Sequence, residues 1–280
     1  MSQPRLSVAT VQFAVTADPV ANVRRMIALM RRAAADAAVV HFPECALSGY
    51  LDKKVERWAG YDWAALAAAH DQLAETCRDL GVWVVYGAAH RFDEAWLPHN
   101  SVFVVGPDGD PAIRYDKRCC SLSELDHFTP GSALAVIDIA GRRCGILICL
   151  EWSFPGLWQA YAEAGVDLVF LSAFAAGLDG RHLHSDVVPP TLQGHAFTNS
   201  LFISVANASN PAQAFASHWV KRSGRRGSAC RLHRQGFTVN AIADDPEKDA
   251  LYARIRAFRS EASSGRLYEN LRVTTPAGKH

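Results

Sequence analysis

Residues Arg143-Cys-Gly-Ile-Leu-Ile-Cys-Leu-Glu-Trp-Ser-Phe-Pro-Gly156 run from an unbroken apolar segment straight into the start of a helix. The apolar run reads as a strand buried on both faces, and Pro155 suits the first turn of a helix that stops before Gly165. Earlier in the chain, strand Leu6–Gln12 is followed by Asp18-Pro19, an N-cap and first-turn proline. The helix they open carries Val23, Met26, Ile27 and Met30 on one face. Strand Ala38–Phe42, a helix from Asp62 to Leu80 stopped by Gly81, and strand Val82–Tyr86 follow. Two hairpins are expected, one turning at Asp108-Gly109 and one at Ala140-Gly141. Beyond residue 156 come strand Asp167–Leu171, a helical stretch Pro190–Ser200 and strand Leu201–Ala206. Up to three closing strands follow, Ser228–Leu232, Phe237–Ala243 and Leu251–Arg256. Strand–helix units with hairpins between them imply α/β layers built on mixed sheets, not one purely parallel sheet. No linker or internal repeat interrupts residues 1–259, which read as a single domain; residues 260–280 read as a polar tail.

Composition narrows the function classes. The 280 residues are 49% hydrophobic, and 29 Lys+Arg against 28 Asp+Glu give a formal charge of +1. That excludes a global basic field for nucleic acid or an anionic membrane. No apolar run reaches the roughly 18 residues of a membrane span, and the N-terminus lacks a secretory pattern. Seven scattered cysteines argue against a disulfide framework and for a reducing, cytoplasmic setting. No Gly-rich phosphate or dinucleotide fingerprint and no CxxC pair appear, so a dinucleotide, P-loop or zinc-ribbon site has no sequence support.

Three residues could carry chemistry. Cys149 sits at a strand-to-helix turn, where backbone N–H groups stabilise a thiolate or an oxyanion. Glu44 follows a buried strand directly, so lost hydration raises its pKa towards that of a general base. Lys117 follows strand Ala112–Tyr115 and could hold negative charge on a reacting carbonyl. Taken singly, each has a plain structural explanation: a core cysteine, a loop acid, an exposed lysine.

Jointly, the set resembles the nitrilase superfamily of carbon–nitrogen hydrolases from about residue 5 to 256. The segments are HFPECALSGY at 41–50, HNSVFVVGPDGDPAIRYDK at 99–117, SELDHFTPG at 123–131 and CGILICLEWSFPG at 144–156. The family's Glu-Lys-Cys triad is matched in order by Glu44, Lys117 and Cys149, with separations of 117 − 44 = 73 and 149 − 117 = 32. Its second glutamate is matched by Glu124 ahead of Phe128 and Gly131, and its "AN" segment by Ala206-Asn207. The resemblance implies an αββα four-layer sandwich with two mixed sheets, assembled as a homodimer or larger homo-oligomer. It further implies that Glu44 takes the proton of Cys149, that Lys117 and the Leu150 N–H hold the oxyanion, and that Glu124 supports Lys117 or the substrate. That no cofactor or metal is needed is also what the resemblance implies. The substrate would be a small linear amide or carbamoyl compound. A nitrile substrate, acyl transfer to an amine, and a non-catalytic relative are the rival readings. Tyr50, Glu151, Trp152, Ser172, Ala173 and Phe174 are the expected pocket residues.

Departures from the family pattern are Cys119, where histidine is common, and Gly156, where glutamate is common. Lys221, Arg222, Arg225, Arg226, Arg231 and Arg234 form a basic stretch that reads as a solvated loop. His182-Leu-His184-Ser-Asp186 has ligand-type residues but no accompanying cluster, and reads as pocket lining. Because tails in this family often pack across a dimer interface, removing residues 261–280 is expected to lower the oligomer mass measured by light scattering; an unchanged mass would refute that role.

Overall fold

The computed structural model describes residues 6–50, 58–93, 96–176 and 183–264. They fall into two compact units, one ending at Asp244 and one beginning at Asp245.

In the first unit, alternation along the strands sorts side chains into three buried layers. Strand β1 (Leu6–Gln12) sends Ala9 and Val11 one way and Leu6 and Val8 the other. Ala9 and Val11 pack under α1 (Pro19–Ala33) and α2 (Trp63–Leu80), which contribute Val23, Met26, Met30, Leu66 and Leu73. Leu6 and Val8 join Val39 of β2 (Val39–His41) and Val85 of β3 (Trp83–His90) in the layer between the sheets. Strands β4 (His99–Val105) and β5 (Pro111–Asp116) continue that sheet as the expected hairpin.

The second sheet meets the first with Ile146 and Ile148 of β7 (Arg142–Ile148) and Leu168 and Phe170 of β8 (Leu168–Ala173). Its outer face packs Leu147, Val169, Leu171 and Val205 under α3 (Pro155–Glu163) and α4 (Leu183–Asn199). The remaining strands are β6 (Val136–Ile139), β9 (Phe202–Asn207), β10 (His218–Val220), β11 (Arg226–Ala229) and β12 (Gly236–Ile242).

The sheet orders are β12-β1-β2-β3-β4-β5 and β11-β10-β9-β8-β7-β6. Each has three parallel strands at its centre and antiparallel strands outside them. This is the αββα four-layer sandwich with two mixed sheets. The two sheets repeat one topology without repeating the sequence.

Local signals account for the helix starts. Asp18 accepts from Val20 N at 2.8 Å with Pro19 next, and Asp62 accepts from Ala65 N at 2.8 Å. Gly81, at φ 65°, closes α2 in the left-handed conformation. Some expectations need correction. Residues 251–256 are not a strand but lie within α5 (Pro246–Ser263) of the second unit. The alternation Leu251, Ala253, Ile255, Ala257 is too short to exclude a helix, and Asp245, accepting from Lys248 N at 3.1 Å ahead of Pro246, caps one. The expected strand Ser228–Leu232 is shifted to Arg226–Ala229. Helix α4 starts at Leu183 and carries Pro189 and Pro190 inside it, so the proline pair does not mark its start.

Two histidines, His41 and His218, lie deep in this framework, and His70 is partly buried. Burial pushes His41 down to about 3 and His70 and His218 down to about 4. Each folded value lies below the ordinary 6.5, so neutral burial contributes stability that is complete above pH 6.5 and is lost as pH falls through the folded values. At pH 5.5 the imidazole nitrogen chemical shifts of all three should therefore be those of neutral rings; a midpoint near 6.5 for any of them would contradict its burial.

Candidate active site

Glu44 follows β2 after Phe42-Pro43, Lys117 follows β5 directly, and Cys149 follows β7 directly. Two glycines let these ends approach. At Gly87, on β3, an added Cβ would lie 2.3 Å from Cys45 N and 2.7 Å from Pro43 O, so only glycine admits the turn carrying Glu44. At Gly131 it would lie 2.2 Å from Asp116 O, and Gly131 N donates to Lys117 O at 2.8 Å. The Gly131 backbone thus lies against the residue pair that delivers the lysine.

Lys117 is buried, 1% exposed, and donates to Glu44 Oε1 at 3.0 Å and Glu124 Oε1 at 2.6 Å. Asn100 Nδ2 donates to Glu44 Oε1 at 2.7 Å and reaches Glu124 Oε1 at 3.4 Å. The two carboxylates then differ. Glu124 also accepts from Ser121 N at 2.7 Å and from Tyr50 OH at 3.3 Å. Burial pushes Glu124 up, but Lys117 and the Ser121 bonds outweigh it and hold the carboxyl below its usual range. Glu44 has one oxygen, Oε2, buried with no hydrogen-bond partner. Burial raises Glu44, with Lys117 offsetting only part of the effect. Burial alone would lower Lys117, yet Glu44, Cys149 and Glu124 hold it well above its ordinary value. The site therefore contains a firm ammonium, a firm carboxylate and a carboxyl with enhanced basicity.

Cys149 is coupled electrostatically to Glu44 and Lys117. Burial pushes the thiol well up and Glu44 adds to that, while Lys117 and a backbone hydrogen bond from Phe174 draw it down. The resting form is therefore the thiol. Its φ of 44° lies in the left-handed region, a strained setting for a non-glycine residue. Leu150 continues the 3₁₀ turn Cys149–Ser153, and N–H groups in such a first turn have no acceptor within it.

The expected pocket residues divide. Tyr50 and Phe174 are partly exposed and stack with centroids 4.8 Å apart, and Trp152 is partly exposed beside His184 at 6.2 Å. Glu151, Ser172 and Ala173 lie in the interior at 0%, 0% and 2% exposure. Glu151 Oε1 accepts from Tyr115 OH at 2.8 Å, Arg118 N at 2.7 Å and Cys119 N at 3.1 Å, and Oε2 accepts from Ile148 N at 2.7 Å. It ties the backbone after Lys117 to the residue before Cys149. Ser172 and Ala173 belong to β8 because the strand runs two residues beyond its expected end at Leu171.

Cys119 holds Glu151 through its backbone, whereas Gly156 lies in the first turn of α3 with open space around an added Cβ. His184 and Asp186 sit in the first turn of α4, and His182 lies outside the described residues. Among the described residues, no group of three or more His, Cys, Asp or Glu side chains could hold a metal. In the basic stretch, Arg225, Arg226, Arg231 and Arg234 are exposed, but Arg222 is buried over the Phe202 ring at 4.5 Å. In the sequence Asn100 belongs only to a motif; its place near Glu44 comes from β4 pairing with β3, where Asn100 lies opposite Ala89.

The profile of the family described as carbon-nitrogen hydrolase matches residues 7–255. The chain is 25% identical over 222 residues to the omega-amidase NIT2 of Bos taurus, covering 75% of this chain and 77% of that one. The omega-amidase NIT2 of Homo sapiens matches to the same extent. A nitrilase of Pyrococcus abyssi is 33% identical over 98 residues, 35% of this chain and 36% of that protein. Among solved structures, an amidase from Nesterenkonia AN1 superposes with a TM-score of 0.76 at 20% identity, covering 95% of this chain and 97% of that one.

The Gly87 contact gives a direct test. Gly87→Ala forces the Pro43–Cys45 backbone away from β3 and should destabilise the fold by about 1–3 kcal/mol in urea unfolding, as overpacking does. An unchanged midpoint would show that the turn can yield.

Proposed function

This chain belongs to the carbon–nitrogen hydrolase family, and from that membership we propose that it hydrolyses a small linear amide or carbamoyl compound, releasing ammonia through a thioester on Cys149. One observation carries the mechanism: Glu44 is held by Lys117 and Asn100 through Oε1, while Oε2 is buried without a partner. A buried carboxylate oxygen with no donor is a ready proton acceptor.

In this mechanism Glu44 removes the Sγ proton, and the sulfur attacks the carbonyl carbon. The developing oxyanion is held by the Lys117 ammonium and the Leu150 N–H. As the tetrahedral state collapses, the C–N bond breaks and Glu44 returns the proton to the leaving nitrogen. Glu44 then takes a proton from water, hydroxide attacks the thioester, and Cys149 leaves as thiolate and recovers its proton. Glu124 keeps Lys117 in place and protonated throughout. No step calls for a metal or cofactor. Tyr50, Phe174 and Trp152 provide an aromatic flank for the substrate's acyl part.

The omega-amidase relatives, matched over three quarters of the chain, support an amide over a nitrile; the nitrilase relative is matched over 35% of the chain. The test is ammonia release from short amides, N-carbamoyl amino acids and nitriles. Cys149→Ala should abolish release, and Glu44→Gln should lower kcat by roughly 10²–10⁴-fold, the range for a general base. Release that survives Cys149→Ala would overturn the thioester route, and preference for a nitrile would change the bond assigned.

A further inference from the structure

A line of buried polar side chains crosses the mainly apolar layer between the sheets. Thr10 on β1, His41 on β2, Ser172 on β8 and Ser204 on β9 point into it, and none has exposed surface. They touch in series. Thr10 Oγ1 lies 2.7 Å from Ser204 Oγ, and Ser204 Oγ lies 2.8 Å from His41 Nδ1. His41 Nε2 lies 3.0 Å from Ser172 Oγ, which donates to Phe42 O at 3.0 Å.

The carbonyl at the end of the line fixes the direction of every bond. Phe42 O can only accept, so the Ser172 proton points to it. Ser172 must then accept from His41, which puts the ring proton on Nε2. Nδ1 is left to accept from Ser204, and Ser204 accepts from Thr10. The scheme needs a neutral imidazole, and burial at 0% exposure favours that form.

Ser172 stands where this line meets the active site. Within its sheet it is in parallel register with Ile148, the residue before Cys149. Across the layer its hydroxyl holds the carbonyl of Phe42, two residues before Glu44. We propose that Ser172 is a positioning residue: it locks the strand end that carries the base to the strand end that carries the nucleophile, its hydroxyl directed to Phe42 O and accepting from His41. The inference rests on the roles given above to Glu44 and Cys149. Misplacement of a base by about 1 Å can cost up to 100-fold in rate, so a single cross-sheet bond at this point has leverage on kcat.

Ser172→Ala and Thr10→Val provide the comparison. Each removes one hydroxyl from the line, but only Ser172→Ala releases Phe42 O; Thr10→Val leaves the Ser204, His41, Ser172 and Phe42 bonds in place. Three quantities are measured: the thermal midpoint, kcat and KM for the best amide, and the rate of Cys149 alkylation by iodoacetamide at pH 7. Both variants should lose stability. Ser172→Ala should also lower kcat and the alkylation rate about tenfold with KM nearly unchanged, whereas Thr10→Val keeps both rates near wild type. Wild-type rates in Ser172→Ala, or rates that fall in both variants in step with their midpoints, would overturn the proposal. Should Ser172→Ala fail to fold, Ser172→Thr and Ser172→Val carry the test as an isosteric pair, with only the threonine expected to keep the wild-type rates. Alkylation needs no substrate, so it separates two failures. If Glu44→Gln reacts at the wild-type rate, the proposed base role fails; if Glu44→Gln is slow but Ser172→Ala is not, only the positioning role fails.

Discussion

Lys117 carries its charge in the interior, and the carboxylates of Glu44 and Glu124 keep it charged there. Removing an ammonium from water costs several kcal/mol, which close opposite charges must offset. Two carboxylates around one lysine over-compensate, leaving a surplus negative charge if both ionise. The surroundings resolve this unequally. Glu124 receives a backbone N–H and a tyrosine hydroxyl, while one oxygen of Glu44 receives nothing. Glu44 is thereby distinguished from Glu124 by its missing partner, without any difference in residue type.

This charge arrangement works only if three strand ends are brought together without slack. Gly87 lets the turn carrying Glu44 lie flat on β3, and Gly131 closes on Asp116 just before the lysine. Glu151, fully buried, gathers donors from the backbone after Lys117 and from Ile148, the residue before Cys149. Left-handed backbone at both Cys45 (φ 49°) and Cys149 (φ 44°) shows where the chain turns sharply to present a side chain. Such strain persists only where the surroundings over-determine it, and it gathers at functional sites.

Much of this was legible in the sequence. The strand–helix rhythm, the Asp18-Pro19 and Asp62 caps and the two hairpins follow from local chemistry, and the layered fold follows from them. Glu44, Lys117, Glu124 and Cys149 stood out because each directly follows a strand or belongs to a short motif. Three kinds of information were hidden. Short alternation could not separate strand from helix at residues 251–256, where a cap decided it. Depth was invisible: nothing in the sequence shows that Glu151, in the turn after β7, and Ser172 and Ala173, at the end of β8, are buried. Pairing across more than 100 residues was also invisible: His41 looked like one more strand residue, and only the facing sheet shows that it meets Ser172 and Ser204.

The first sheet has one pairing of a different kind. Strand β1 is flanked on one side by β2 and on the other by β12, with Leu6 opposite Ile242. Every strand of the second sheet lies between those two in the chain. During synthesis β1 therefore leaves the ribosome with one edge unpaired, and that edge stays open until more than 220 further residues have been made. Pairings so distant in sequence form slowly, and exposed strand edges invite mispairing in the meantime. The sheet that carries Glu44 and Lys117 is therefore begun first and completed last: its first five strands precede β7, but its β12 edge closes only after every strand of the other sheet has been made.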